Sequence, residues 1–359
     1  MSTRSRVFLH IGLPKTGTTY LQEALWLNRD RLAERGLYLP GARRQHLLAS
    51  LELREDPGLA NRPRQVEHPW THLVDLVNAR LRKKGGDALI SHEFFASATP
   101  AQVERAREAF PDADLHVVVT ARPMVDLFTS RWQEWVKNGN DLPIDSYPPE
   151  PKGVSAWGWA SFDLGDVLER WGSVLDHDRI HVVPLTRGAG PRQLWDTFLD
   201  VCGQRSEGID AEEQPANTSL GLAEVEVLRR TNSDLKGFTS PTDRGRWIRG
   251  HLGERTLVHE GAERYRPSEQ KLAELQRREE RLLALLASGG FDLRGDVDLL
   301  RSADISARRH PSEATDSELL PVAVGALAAL LTDLRAAAER AGEVPVLDAK
   351  PSRWRRRRG

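Results

Sequence analysis

The segment HIGLPKTGTTYLQ, residues 10–22, follows the apolar run Val7, Phe8, Leu9 and places two glycines, a lysine and three threonines within eight residues. A strand that turns over glycines into a helix start aims several backbone N–H groups at one point, because the first amides of a helix have no intrahelical partner. The helix dipole adds roughly half a positive charge there. Lys15 adds a full charge, Thr16, Thr18 and Thr19 add hydroxyl donors, and Gly12 and Gly17 allow close backbone approach. The chemistry this serves is the binding of a phosphate-like anion. The nucleotide loop of the NTPases reads G-x-x-x-x-G-K-[ST], with the last hydroxyl on Mg²⁺. Here the lysine precedes the second glycine, and Thr18 follows that glycine. An NTPase also needs an acid at the end of a second buried strand to hold its metal. VVVTARP (117–123) ends in arginine instead, and Glu93 at the end of ALISHE (88–93) matches that role only loosely. The expectation is a phosphate loop that requires no metal.

The elements that must position these residues follow from hydrophobic period. Val7–Ile11, ALISHE (88–93), LHVVVTAR (115–122) and IHVVPL (180–185) read as buried strands. Between them, 17–35, 73–81, 101–110, 124–137, 164–175 and 193–202 read as helices. This alternation predicts an α/β fold with a parallel sheet covered by helices on both faces, whose ligands bind at the carboxyl ends of the strands. The strand signal stops near residue 205, and 268–290 and 319–340 read as long helices. The expected organisation is an α/β core over 1–205, a mostly helical region over 206–345 that completes or covers it, and a basic tail over 346–359, RWRRRRG at its end. That tail reads as a solvated end, with contact to an anionic partner or lipid surface as the sharper alternative.

The chain resembles the PAPS-dependent sulfotransferases. Residues 14–19, PKTGTT, match at every position the core pattern P-K-[ST]-G-T-[ST] of that family's 5′-phosphosulfate loop. The family's second signature, an apolar strand ending in arginine and a serine eight residues on, is met by VVVTARPMVDLFTSRW with Arg122 and Ser130. The opening is most similar to the bacterial branch, H-x-G-x-x-K-T-G-T-T, and the resemblance spans roughly residues 6–202. It implies a P-loop-containing sheet of the sulfotransferase and nucleotide-kinase kind. It also implies transfer of a sulfuryl group from PAPS to a hydroxyl, with adenosine 3′,5′-bisphosphate (PAP) released. In that reading Lys15 is catalytic and neutralises the departing oxygen. Thr16, Gly17, Thr18 and Thr19 hold the 5′-phosphate, and Arg122 with Ser130 holds the 3′-phosphate. Tyr20 takes the place of an aromatic that packs on adenine, with a core role as the alternative.

The proton acceptor in that family is a histidine or glutamate between the two signatures, and LISHEFFA offers His92 and Glu93. The bacterial pattern I-S-x-E favours Glu93, and strand neighbours point to opposite faces, so only one would face the pocket. A glutamate base would need its pKa brought toward neutrality. A capped turn before Phe94 is the structural alternative for both residues. His10 lies near the donor or packs in the core.

The identity of the acceptor is not legible from sequence; the expectation is a hydroxyl of a carbohydrate or small natural product, with the long loop 138–155 shaping its pocket. Trp132, Trp135, Trp157, Trp159 and Trp171 surround that loop and either stack on the acceptor or belong to the core. NTSL (217–220) resembles a segment of the bacterial relatives, or caps a helix through Thr218 or Ser219. TDRGRWIRG (242–250) reads as a basic loop able to close on a phosphate. A P-loop kinase or NTPase using ATP and Mg²⁺ is the alternative enzyme, and a non-catalytic nucleotide-binding protein a third reading.

Composition bounds the rest. The 359 residues carry a net charge of −1, which points to no nucleic-acid partner. One cysteine, Cys202, permits no disulfide within the chain and suits a reducing compartment. The N-terminus has no signal-peptide pattern. The longest apolar stretch, Leu319–Leu331, is shorter than the roughly 20 residues a membrane helix needs. Arginine outnumbers lysine 43 to 8, the bias of a GC-rich genome, and a bacterial cytoplasm is the expected location. Oligomeric state is not legible from sequence.

Overall fold

A computed structural model describes residues 4–150, 156–186, 188, 190–209, 219–259 and 261–341. Six parallel strands form one sheet in the order β2-β3-β1-β4-β5-β6. They are β1 (Ser5–Gly12), β2 (Leu37–Tyr38), β3 (Asp87–Ser91), β4 (Ala113–Ala121), β5 (Ile180–Pro184) and β6 (Asp292–Leu293). The central strands are apolar almost throughout, as strands buried on both faces must be. Val7, Phe8, Leu9, Val117, Val118, Val119, Ile180 and Val182 are all buried. This confirms the α/β expectation, and four of the six strands are those the sequence pattern marks.

β2 and β6 are two residues long and too short to show any period. β6 pairs with β5 through His181 and Val182. The sheet therefore does not end near residue 205, as the strand pattern suggests.

Helices flank the sheet. Those in its first half are α1 (Thr18–Leu27), α2 (Arg29–Glu34), α3 (Arg43–Leu53), α4 (Pro69–Lys84), α5 (Pro100–Glu108) and α6 (Met124–Lys137). Then come α7 (Leu164–Gly172), α8 (Pro191–Val201), α9 (Leu222–Asp234), α10 (Pro241–Asp243), α11 (Glu269–Gly289) and α12 (Asp316–Ala341). The helix expected over 17–35 is divided at Asn28, whose amide nitrogen donates to the Ala24 carbonyl at 2.8 Å and closes the first segment.

Two compact units emerge. The first contains 1–136, 142–217 and 266–309, hence the whole sheet and α11; the second contains 137–141, 218–265 and 310–359. The helical region expected as one block over 206–345 is thus shared between them. The reason lies in α11. Arg278 reaches buried Asp163 at 2.7 Å and Arg281 pairs with Asp166, both acids at the start of α7.

In the second unit, α9 packs against α12. TDRGRWIRG is not a loop there. Pro241–Asp243 leads into a wide helical stretch, Arg244–Thr256, with i→i+5 bonding such as Leu257 N–H to Leu252 C=O at 3.0 Å. NTSL does not cap α9: that position is Gly221, while Asn217 and Thr218 lie outside the described residues. The tail 346–359 and residues 151–155 of the long loop also lie outside them.

Candidate active site

The site is built at the carboxyl edge of the sheet, within the first unit. β1 ends at Gly12, and the chain crosses to α1 through residues 13–17. The Leu13 N–H donates to the Thr120 carbonyl at 2.7 Å, which ties this turn to β4. Gly12, at φ 74°, faces Glu93: a Cβ at Gly12 would stand 2.6 Å from the Glu93 Cβ. Gly17, at φ 82°, is the residue before α1 and packs against Leu194 in the same way. Lys15 also adopts a left-handed backbone, φ 68°. For a side-chain-bearing residue that conformation costs roughly 1–2 kcal/mol, and such strain gathers at functional sites.

The threonines divide the work. Thr16 is buried, and its hydroxyl donates to the Leu13 carbonyl and meets Thr120 Oγ1 at 2.6 Å. It braces the turn from inside, so only its backbone N–H is left for an anion. Thr18 is buried beside Gly12, and Thr19 is exposed.

Arg122 follows β4 and is half-buried. Its Nη1 donates to Ser130 Oγ at 3.3 Å and to the Lys15 carbonyl at 3.4 Å. Residues from two motifs 107 positions apart thus meet at one place.

A residue the sequence reading missed completes this cluster. Glu134, on α6 and 6% exposed, accepts from Lys15 Nζ at 3.0 Å. It lies four residues after Ser130, on the same helical face. That spacing was the available signal, but a helix surface carries many such pairs.

His92 and Glu93 are not strand neighbours. β3 ends at Ser91, His92 caps a short 3₁₀ turn, and Glu93 begins it. His92 Nδ1 accepts the Phe94 N–H at 3.1 Å, so this ring performs the capping role. Burial lowers its pKa, outweighing the opposite pull of Glu93. Glu93 lies against Gly12 and accepts from Gln22 Nε2 at 3.1 Å. Burial pushes its pKa up, but His92, its own backbone N–H and Gln22 outweigh this, and the net direction is downward. That direction is away from neutrality, the opposite of the upward shift expected of a glutamate base.

His10 packs: its Nδ1 meets Ser91 Oγ at 2.8 Å, its ring lies edge-on to Phe198, and burial lowers its pKa to about 4. Tyr20 is 8% exposed and belongs to the core with Leu21, Leu25 and Trp195. Trp132 and Trp171 are likewise buried core residues. Trp135 and Trp157 meet edge to face with centroids 5.3 Å apart, and Arg278 lies 3.8 Å over the Trp159 ring.

Comparison with solved structures finds a similar chain, a crystal structure of a sulfotransferase from Alicyclobacillus acidocaldarius. It is 18% identical with a TM-score of 0.41, over 69% of this chain and 96% of that one. No protein-family model matches the chain, and no curated protein matches it. At so distant a likeness, the reading of the site rests on the residues of this chain.

Proposed function

We propose that the protein is a sulfotransferase that uses PAPS as cosubstrate and transfers its sulfuryl group to a hydroxyl of a carbohydrate or small natural product. The observation that carries this reading is the convergence of Lys15, Arg122 and Ser130, two of them joined at 3.3 Å, beside the turn that leads into α1. A donor with a 5′-phosphosulfate and a 3′-phosphate needs two anion subsites one ribose apart. The turn 13–19 supplies one, through its N–H groups and Thr18 and Thr19. Arg122 with Ser130 supplies the other, through a guanidinium suited to two-point phosphate recognition.

The Lys15 ammonium supplies the charge that stabilises the bridging oxygen as it departs, the preorganised electrostatic role that carries most of such catalysis. Glu134 holds that ammonium in place until the donor competes for it. Glu93, rather than His92, is assigned as the proton acceptor, because the His92 ring nitrogen is engaged by Phe94 while Glu93 borders Gly12. The loop 142–150 and the Trp135–Trp157 pair are assigned to the acceptor side. A cytoplasmic location fits a donor made inside cells.

The test is sulfuryl transfer from labelled PAPS to a panel of sugar and phenolic hydroxyls in EDTA. Transfer by the wild type and its loss in Lys15→Ala are expected. Near-normal turnover by Lys15→Ala would remove the mechanism.

A further inference from the structure

Gln22 is a buried amide on α1 that takes no part in holding the donor. It is 7% exposed, and its neighbours Leu21, Ala24 and Leu25 are buried with it. A buried amide costs free energy unless it is hydrogen-bonded. Its Nε2 donates to Glu93 Oε2 at 3.1 Å, a contact across 71 residues of chain. Thr18 stands four residues earlier, on the same helical face. That face meets the Glu93 turn at Gly12: a Cβ there would stand 2.6 Å from the Glu93 Cβ and 3.0 Å from Thr18 Cγ2. The missing side chain thus lets the Glu93 turn close onto α1. One helix of ten residues therefore touches the site twice, with its first amides at the turn 13–17 and with Gln22 at Glu93.

We propose that Gln22 is the positioning residue for the proton acceptor. By holding Glu93 Oε2 it fixes the plane of the carboxylate, which presents its other oxygen to the acceptor hydroxyl in register with the sulfuryl group held at the start of the same helix. This rests on the assignment of Glu93 as proton acceptor. In the transfer, the acceptor oxygen bonds to sulfur and the bond from sulfur to the bridging oxygen breaks. PAP leaves with that electron pair, and the hydroxyl proton passes to Glu93. Gln22 exchanges nothing; it sets where the receiving oxygen stands.

A role in charge and a role in geometry differ in sign. Burial raises the Glu93 pKa, while His92, its own backbone N–H, Gln22 and His10 lower it. Of the groups packed around this turn, His10 comes from β1 and His92 is adjacent in the chain. Arg54, Arg62 and Arg43 act on His92, and Arg170 of α7 donates to the Ala96 and Ala98 carbonyls. An amide that donates to a carboxylate favours its charged form, so removing Gln22 makes Glu93 a stronger base. Were charge all that Gln22 supplied, transfer would then be as fast or faster. With geometry lost, transfer slows although the base is stronger, because a small misplacement of a reacting group costs up to about 10²-fold.

The experiment compares the wild type with Gln22→Met, Gln22→Glu and Glu93→Gln, using labelled PAPS and whichever hydroxyl of the sugar and phenol panel the wild type sulfates fastest. Gln22→Met keeps the length of the side chain and loses the donor. It should lower kcat by about 10–100-fold with KM for PAPS and affinity for PAP unchanged, and the acid limb of kcat should move to higher pH. An unchanged or higher kcat overturns the proposal, as does a loss confined to PAP affinity. Gln22→Glu has the same shape without the amide donor. It should show the same fall in kcat, and it decides if Gln22→Met does not fold. Glu93→Gln separates the two claims. Turnover near that of the wild type overturns the base assignment and the positioning role with it. Its loss, beside a normal kcat in Gln22→Met, overturns the positioning role alone.

Discussion

The Lys15 side chain sits between two claims. In the structure it answers to Glu134 at 3.0 Å; in catalysis it would answer to the donor's bridging oxygen. This competition has measurable consequences. Lys15→Ala should lower turnover by at least about 10²-fold, the usual cost of removing a preorganised electrostatic donor, while PAP still binds. Arg122→Ala should instead weaken PAP binding by roughly 10–100-fold, the worth of a charged hydrogen bond, as read by isothermal titration. Glu134→Gln removes a carboxylate from beside an anionic ligand. It should tighten PAP binding several-fold while lowering turnover, and equal or weaker binding would show that Glu134 does not compete with the donor. Lys15 and Arg122 were legible from sequence because each lies in a dense local pattern. Glu134 was not, because its role comes from a contact across 119 residues.

At the scale of elements, the site depends on how β3 and α3 are joined. His46, on α3, is buried; its Nε2 meets the Pro40 carbonyl at 2.8 Å, and its Nδ1 accepts the Ser91 N–H at 3.0 Å. Protonation at Nδ1 would set two donors against each other. Burial and this geometry hold the imidazole neutral, with its pKa lowered to about 4, like that of His10. A histidine whose folded pKa is lowered contributes stability above its unfolded pKa. That stability is lost as pH falls through 6.5 toward 4, because the unfolded chain then binds the proton. Between pH 7 and pH 5 each of these two histidines should cost on the order of 2 kcal/mol, read as a lower urea midpoint. An unchanged midpoint would contradict the assignment.

Asp163 is the corresponding anchor for α11. It is fully buried, caps α7 through the Asp166 N–H and accepts from Arg278 at 2.7 Å. Asp163→Ala should destabilise the protein by about 3 kcal/mol, the cost of breaking a buried pair, measurable by denaturant unfolding. Element type was readable wherever a period ran for several turns, so α6 over 124–137 matches its expected range. Long-range attachment was not: α11 read as part of a helical region that completes or covers the core, and the ion pairs that hold it to α7 leave no local mark.

At the scale of the whole chain, one unit carries the sheet and the candidate site, and the other carries α9, the wide helix and α12. Alternating strands and helices were enough to give the first unit its class, since buried parallel strands impose runs such as LHVVVTA. The second unit has no comparable signal, and its wide helix is not a structure that residue propensities indicate.

The central claim is that the edge of the sheet receives a nucleotide with phosphates at both the 5′ and 3′ positions. The most direct measurement is thermal unfolding with PAP in EDTA, and separately with ATP and Mg²⁺. A ligand at about a hundred times its dissociation constant stabilises by about 2.7 kcal/mol, a rise of several degrees. The account expects that rise with PAP, and none with PAP for Arg122→Ala. A rise only with ATP and Mg²⁺ would contradict it and make the loop at residues 12–19 a displaced nucleotide-kinase loop.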